Sequence, residues 1–129
     1  MSQMNVPLPT DAELAILQVL WARGPCTVRD VYEQLSQDRP IGYTTVLKLL
    51  QIMTDKGLVV RDESQRAHVY EARAAEAETQ TRLVDDLLSR AFAGSAEKLV
   101  LRALTAQRTS PEELERIRTL LDELKGGRS

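Results

Sequence analysis

One cysteine, one histidine and a 4% share of aromatics are what this 129-residue chain has least of. With Cys26 and His68 alone, one chain cannot assemble a disulfide, a zinc cage or a Cys/His catalytic pair. No metal and no cofactor are therefore expected. Nowhere do about 18 apolar residues run together, and Met1 to Thr10 holds neither a basic leader nor an apolar stretch of signal-peptide length. No membrane partner is expected, and the reducing cytoplasm is the expected location. A positive excess is missing too: 17 Lys and Arg stand against 19 Asp and Glu, a formal net charge of −2. Any nucleic-acid role must then rest on local charge. Residues 1–73 hold 8 basic and 9 acidic side chains and residues 74–129 hold 9 and 10, but from Arg39 to Arg73 the balance is 6 basic to 4 acidic.

What is present is periodicity. The hydrophobic share of 43% suits one ordinary domain or two small ones. Thr10-Asp11-Ala12-Glu13 reads as a capping box, in which the Thr hydroxyl accepts from a free backbone N–H and Glu13 reaches back to the cap. Leu14, Leu17, Leu20 and Trp21 then fall on one helical stripe with Ile16 at its edge, and Gly24-Pro25 stops the helix. Thr27 and Asp30 form a second cap signature before Val28, Val31, Tyr32 and Leu35. After Pro40-Ile41-Gly42, Val46, Leu49, Leu50 and Met53 repeat the spacing as far as Gly57. Leu58-Val59-Val60 and His68-Val69-Tyr70 are short β-prone runs around the polar stretch Asp62 to Arg66. Three helices followed by a small hairpin is the order of a winged helix-turn-helix, whose third helix is the presented one.

Beyond Ala74 the pattern is helical only. Val84, Leu87, Leu88, Ala91 and Phe92 form a stripe ending at Gly94, and Leu99, Val100, Ala103 and Leu104 form another. The last helix starts at Ser110-Pro111-Glu112-Glu113, a capping Ser with Pro at the first helical position and Glu to close the box. Leu114, Ile117, Leu121 and Leu124 step by 3, 4 and 3, an a/d seam. The expected architecture is mainly α with a small β-hairpin: a winged helix-turn-helix DNA-binding domain over 1–73, then a three-helix dimerisation domain over 74–129. The last 56 residues have one aromatic, Phe92, and too little interior to close alone. Eight seam side chains meeting in a twofold dimer would supply about 12 to 24 kcal/mol as an upper bound. Association costs about 4 to 15 kcal/mol. A homodimer through Val84, Leu87, Leu88, Phe92 and the seam is therefore expected.

On helix three, Thr44, Thr45 and Lys48 lie near the N-terminus, the end that enters a major groove, with Gln51 on the same face. Lys48 can donate to guanine O6 and N7, Thr44 and Thr45 to a base or phosphate, and Leu47 can meet a thymine methyl. The bland alternative is an ordinary solvated face. Lys56, Arg61 and Arg66 are placed on phosphates by a wing lying along DNA, against the plain alternative of weak surface pairs beside Asp62 and Glu63. Trp21 reads as a core filler, Cys26 as a small buried or half-buried thiol, and His68 as a wing residue rather than a ligand. No nucleophile and base stand at recognisable spacing, so no enzyme is expected. A winged-helix adaptor that binds protein instead of DNA is the competing function, motivated by the acid excess in both halves.

The segments "TDAELAILQVLW" (Thr10 to Trp21), "YTTVLKLLQIMTDKGLV" (Tyr43 to Val59) and "KLVLRAL" (Lys98 to Leu104) resemble the penicillinase-repressor family of bacterial winged-helix repressors, the BlaI, MecI and CopY group. The resemblance implies a homodimer that binds a pseudo-palindromic operator in double-stranded DNA and blocks transcription. It implies Thr44, Thr45 and Lys48 as recognition-helix positions, with Lys56 and the wing arginines near the DNA backbone. Two positions depart from the family pattern: Lys48 stands where relatives often carry Thr, and Ile52 where a basic residue is common. Some relatives are inactivated by cleavage at an Asn-Phe bond, but the matching stretch here continues as Arg102-Ala103. Copper-responsive relatives carry a C-terminal cysteine cluster, and no Cys follows Cys26. Neither inducer route is implied, and the inducing partner stays open.

Overall fold

The computed structural model describes residues 6–106 and 108–127. Residues 1–5, part of the segment searched for a leader, lie outside it, as do 107, 128 and 129. The element order is α1 (Asp11–Arg23), β1 (Cys26–Thr27), α2 (Val28–Leu35), α3 (Tyr43–Lys56), β2 (Val59–Asp62), β3 (Val69–Ala72), α4 (Glu76–Ala91), α5 (Ala96–Ala106) and α6 (Pro111–Gly126). Two compact units divide within α4, between Val84 and Asp85.

Local chemistry sets the helix boundaries of the first unit. Glu13 N–H donates to Thr10 Oγ1 at 3.2 Å and Thr10 N–H donates to Glu13 Oε1 at 2.9 Å, so the expected capping box closes. Thr27 and Asp30 repeat it on α2, at 3.1 and 3.0 Å. The Thr27 N–H holds the Asp30 carboxyl below its ordinary value. At the end of α3, Gly57 takes the left-handed conformation (φ 86°), and the Leu58 N–H donates to Met53 O at 2.9 Å. A side chain there would be strained, which is why the helix stops at this glycine.

The hairpin forms with the register Val59↔Ala72, Val60↔Glu71, Arg61↔Tyr70 and Asp62↔Val69. Two details differ from the sequence expectation. A third strand, β1, pairs antiparallel with β3 through Cys26↔Tyr70 and Thr27↔Val69, giving the order β1-β3-β2. No sequence pattern marks it, because two residues carry no alternation, and one of them is also the α2 cap. His68, expected in the strand, is an exposed residue just before β3.

The core joins all three helices to the sheet: Ile16, Leu17 and Leu20 from α1, Val31 from α2, Val46, Leu50 and Met53 from α3, Val59 and Tyr70 from the hairpin. Helix α1 buries a wider arc than its expected stripe. Ile16 is at the centre with no exposure, Ala15 and Val19 join it, and Leu14 and Trp21 are half-buried. Trp21 is therefore a boundary residue rather than a core filler, and its Nε1–H donates to the Ala74 carbonyl at 3.0 Å. Nearby, Arg82 Nη2 donates to the Val6 carbonyl at 2.6 Å and Thr79 is buried. The thiol of Cys26 is buried as expected, and burial pushes its pKa up.

In the second unit the helices are locally well specified and poorly covered. Ser95 caps α5 and Ser110 caps α6, accepting from Lys98 N–H at 3.1 Å and Glu113 N–H at 3.0 Å. Helix α6 has Pro111 at its start, as expected. Yet neither α5 nor α6 has a buried residue.

Candidate nucleic-acid interface

Helix α3 buries one face and offers another. Val46, Leu50 and Met53 are fully buried, whereas Thr44, Thr45, Lys48 and Gln51 are exposed. Its N-terminus has Gly42 at the cap, no side-chain capping bond and no acidic residue in the first turn. Free backbone N–H groups and the positive end of the helix dipole are thus left open beside two threonine hydroxyls. Lys48 forms no ion pair or hydrogen bond with a described residue. Leu47 is half-buried and packs partly against the core, which limits it to an edge contact.

The cations expected on phosphates fare differently. Lys56 Nζ donates to Glu13 Oε2 at 2.7 Å, and the Glu13 side chain is 2% exposed. Burial by itself would raise the Glu13 carboxyl. The hydrogen bonds from Lys56 and from the Thr10 N–H outweigh it and hold the group below 4.5, its ordinary value. Both Glu13 oxygens are thereby used, one capping α1 and one fastening the end of α3 to the start of α1. Lys56 is a structural cation in this geometry. Arg61 donates to Glu63 Oε2 at 2.7 Å, and the neighbouring Tyr70 side chain and the Glu63 carboxylate raise its pKa. Arg66, in the wing loop, is exposed and makes no ion pair with a described residue.

A cleft of about 420 Å³ lies between the start of α2, the first turns of α3 and the wing loop; Thr27, Arg29, Tyr43, Leu47, Arg66 and His68 are among its lining residues. Arg29 and Tyr43 were not singled out by the sequence. The available signal was positional: each sits in the first turn of a helix that a helix-turn-helix presents to DNA. Among the described residues no cluster of His, Cys, Asp or Glu would hold a metal ion, and no helix is long and apolar enough to cross a membrane.

The expected dimer residues are open to varying degrees. Val84 is 43% exposed, Leu87 41%, Leu114 43%, Leu121 52% and Leu124 56%, while Leu88, Phe92 and Ile117 are half-buried. Val100, Leu101 and Leu120 are also exposed, so the uncovered apolar surface is broader than a two-position seam.

Three helices, a three-stranded sheet and an exposed polar face on α3 define a winged helix-turn-helix protein. The family model described as penicillinase repressor matches residues 9–123, and the chain belongs to that family. The transcriptional regulator BlaI of Mycobacterium tuberculosis (strain ATCC 25618 / H37Rv) is 35% identical over 118 residues, 91% of this chain and 85% of that protein. The penicillinase repressor of Bacillus licheniformis is 25% identical over 121 residues, 94% of each chain. Among solved structures, the DNA binding domain of the repressor BlaI superposes with a TM-score of 0.51 at 25% identity, over 57% of this chain and 89% of that one. The Bacillus licheniformis BlaI monomeric form in complex with the blaP half-operator gives a TM-score of 0.50 at 25% identity, over the same shares.

Proposed function

We propose that this chain is a transcriptional repressor that binds double-stranded operator DNA as a homodimer and catalyses no reaction. The N-terminal residues 1–73 read the DNA, with α3 in the major groove and the hairpin as the wing. Residues 74–129 form the dimer, and the paired reading heads match a pseudo-palindromic operator. The protein works in the cytoplasm, where the chromosome is. The observation that carries this reading is the run of Thr44, Thr45, Lys48 and Gln51 exposed along α3 beside an uncapped N-terminus, in a chain whose relatives are named as repressors. The protein-adaptor alternative keeps only the acid excess in its favour.

Backbone binding releases counterions, so affinity falls with salt with a slope of about −0.9 per neutralised phosphate. Four cations per protomer would give about −7 for the dimer. With Lys56 and Arg61 committed to carboxylates, Lys48 and Arg66 remain of these four, and together they contribute about −4 to the slope. Filter binding to promoter DNA across a salt series tests this, and a flat response rejects the function. Lys48→Ala should narrow the discrimination between operator and random DNA, whereas Arg66→Ala should weaken both alike. Equal losses from the two changes would reject the division of roles.

A further inference from the structure

We infer that the cleft between α2, α3 and the wing loop is a socket for one sugar-phosphate unit of the operator backbone, with Arg29 as its principal anion ligand. The inference rests on the DNA-binding reading above and adds to it a specific ligand site whose principal ligand, Arg29, no pattern in the sequence assigned.

The lining is divided in a way that suits this ligand. Leu47, Val28 and the Tyr70 ring supply carbon surface, and Arg29, Arg66 and His68 supply donors. A deoxyribose-phosphate has the same two-sided character, a carbon ring joined to a compact anion. The donors come from two elements far apart in the chain, α2 and the wing loop, so the fold itself brings them together. Two guanidinium groups on one cleft repel each other, and an anion seated between them removes that cost.

Arg29 is held ready rather than consumed. Its guanidinium lies 5.8 Å from the centre of the Tyr43 ring, and Tyr43 in turn packs edge-on against Tyr32 with ring centres 5.7 Å apart. This aromatic pair supports the charge without neutralising it. Among the described residues the one carboxylate on Arg29 is Glu33, at 3.8 Å across an exposed i,i+4 pair with the two side chains 69% and 60% exposed. Such a pair contributes little and yields readily to a phosphate. Lys56 and Arg61, by contrast, each sit 2.7 Å from a carboxylate oxygen. The α2 terminus does not serve as the anion site, because Asp30 already caps Thr27 there. The planar fork of Arg29 favours a bidentate phosphate contact.

The test uses the full-length protein and operator duplexes in which one phosphate at a time is replaced by an uncharged methylphosphonate, read by fluorescence anisotropy at fixed salt. Wild-type protein should lose about tenfold in affinity at one position in each half-site. Arg29→Gln should lose about tenfold on unmodified operator and become insensitive at that position alone, with its unfolding midpoint unchanged. The salt slope should fall by about one per half-site. Arg29→Gln binding as tightly as wild type, or losing affinity equally at every modified position, overturns the socket while leaving the repressor reading intact. Absence of operator binding by the wild type itself overturns that reading, and the socket with it. Release of operator by millimolar inorganic phosphate at constant ionic strength, from wild type but not from Arg29→Gln, would assign the cleft to a free ion and overturn the backbone assignment.

Discussion

Between Ala15 and Tyr70 fifteen apolar side chains close into one core, while α5 and α6, with comparable sequence hydrophobicity along their stripes, bury none. Both regions use capped helices with apolar stripes. They differ in what the stripes meet. In the first unit three helices cross a sheet within one short stretch of chain, so each stripe finds a neighbour. In the second, Leu101, Leu120, Leu121 and Leu124 remain half or more exposed. Patterning makes a helix, but only a partner makes a core. The first unit carries its stability within itself, and in the proposed homodimer the second would draw on association.

The largest way to break this contrast is Leu50→Ala. Leu50 has no exposure, and truncating it should cost about 2 to 5 kcal/mol. The loss should be independent of protein concentration in denaturant titrations. Leu121→Asp comes next. It places a charge on the exposed α6 face and should weaken dimerisation by about 3 kcal/mol, more than a hundredfold. Sedimentation against concentration measures it, and an unchanged dimer would mean that α6 does not form the interface.

A third change asks whether the first unit is closed by packing alone. Lys56→Met strands the buried Glu13 carboxylate and should cost about 2 kcal/mol, below the range for a fully buried pair because Lys56 keeps 32% of its side-chain exposure. Its salt slope on DNA should match that of wild type. The same pair sets an acid limb. Glu13 titrates lower folded than unfolded, so its stabilisation is complete above 4.5 and is lost as the pH falls through the lowered folded value. Glu13→Gln should flatten this limb in urea titrations carried below pH 4.5. The smallest effects sharpen the comparison further. Thr10→Ala and Ser110→Ala each remove one cap bond and should each cost about 1 kcal/mol. The Ser110→Ala loss should depend on protein concentration and the Thr10→Ala loss should not.

The parts of the fold that were legible in the sequence are those written in local chemistry. Thr10, Thr27 and Ser110 start helices, Gly24 and Gly57 end them, and the hairpin announced itself by two β-prone runs. Local spacing also placed Thr44, Thr45, Lys48 and Gln51 on the open face of α3. Distant partners were not legible. Lys56 reads as a free cation until Glu13, 43 residues away, is seen to hold it. Arg61 looks equivalent to Arg66 until the strand register sets it opposite Tyr70. Arg29 and Tyr43 belong to different helices, and only the crossing of α2 and α3 makes them one feature. The two-residue strand β1 lay below any periodicity.

Trp21, whose Nε1–H reaches the Ala74 carbonyl, is the single tryptophan of the chain. All indole emission from a subunit therefore originates where the wing has just ended and α4 is about to begin. Its wavelength and quantum yield should register whether that junction stays seated, and operator titrations followed at this fluorophore require no added label.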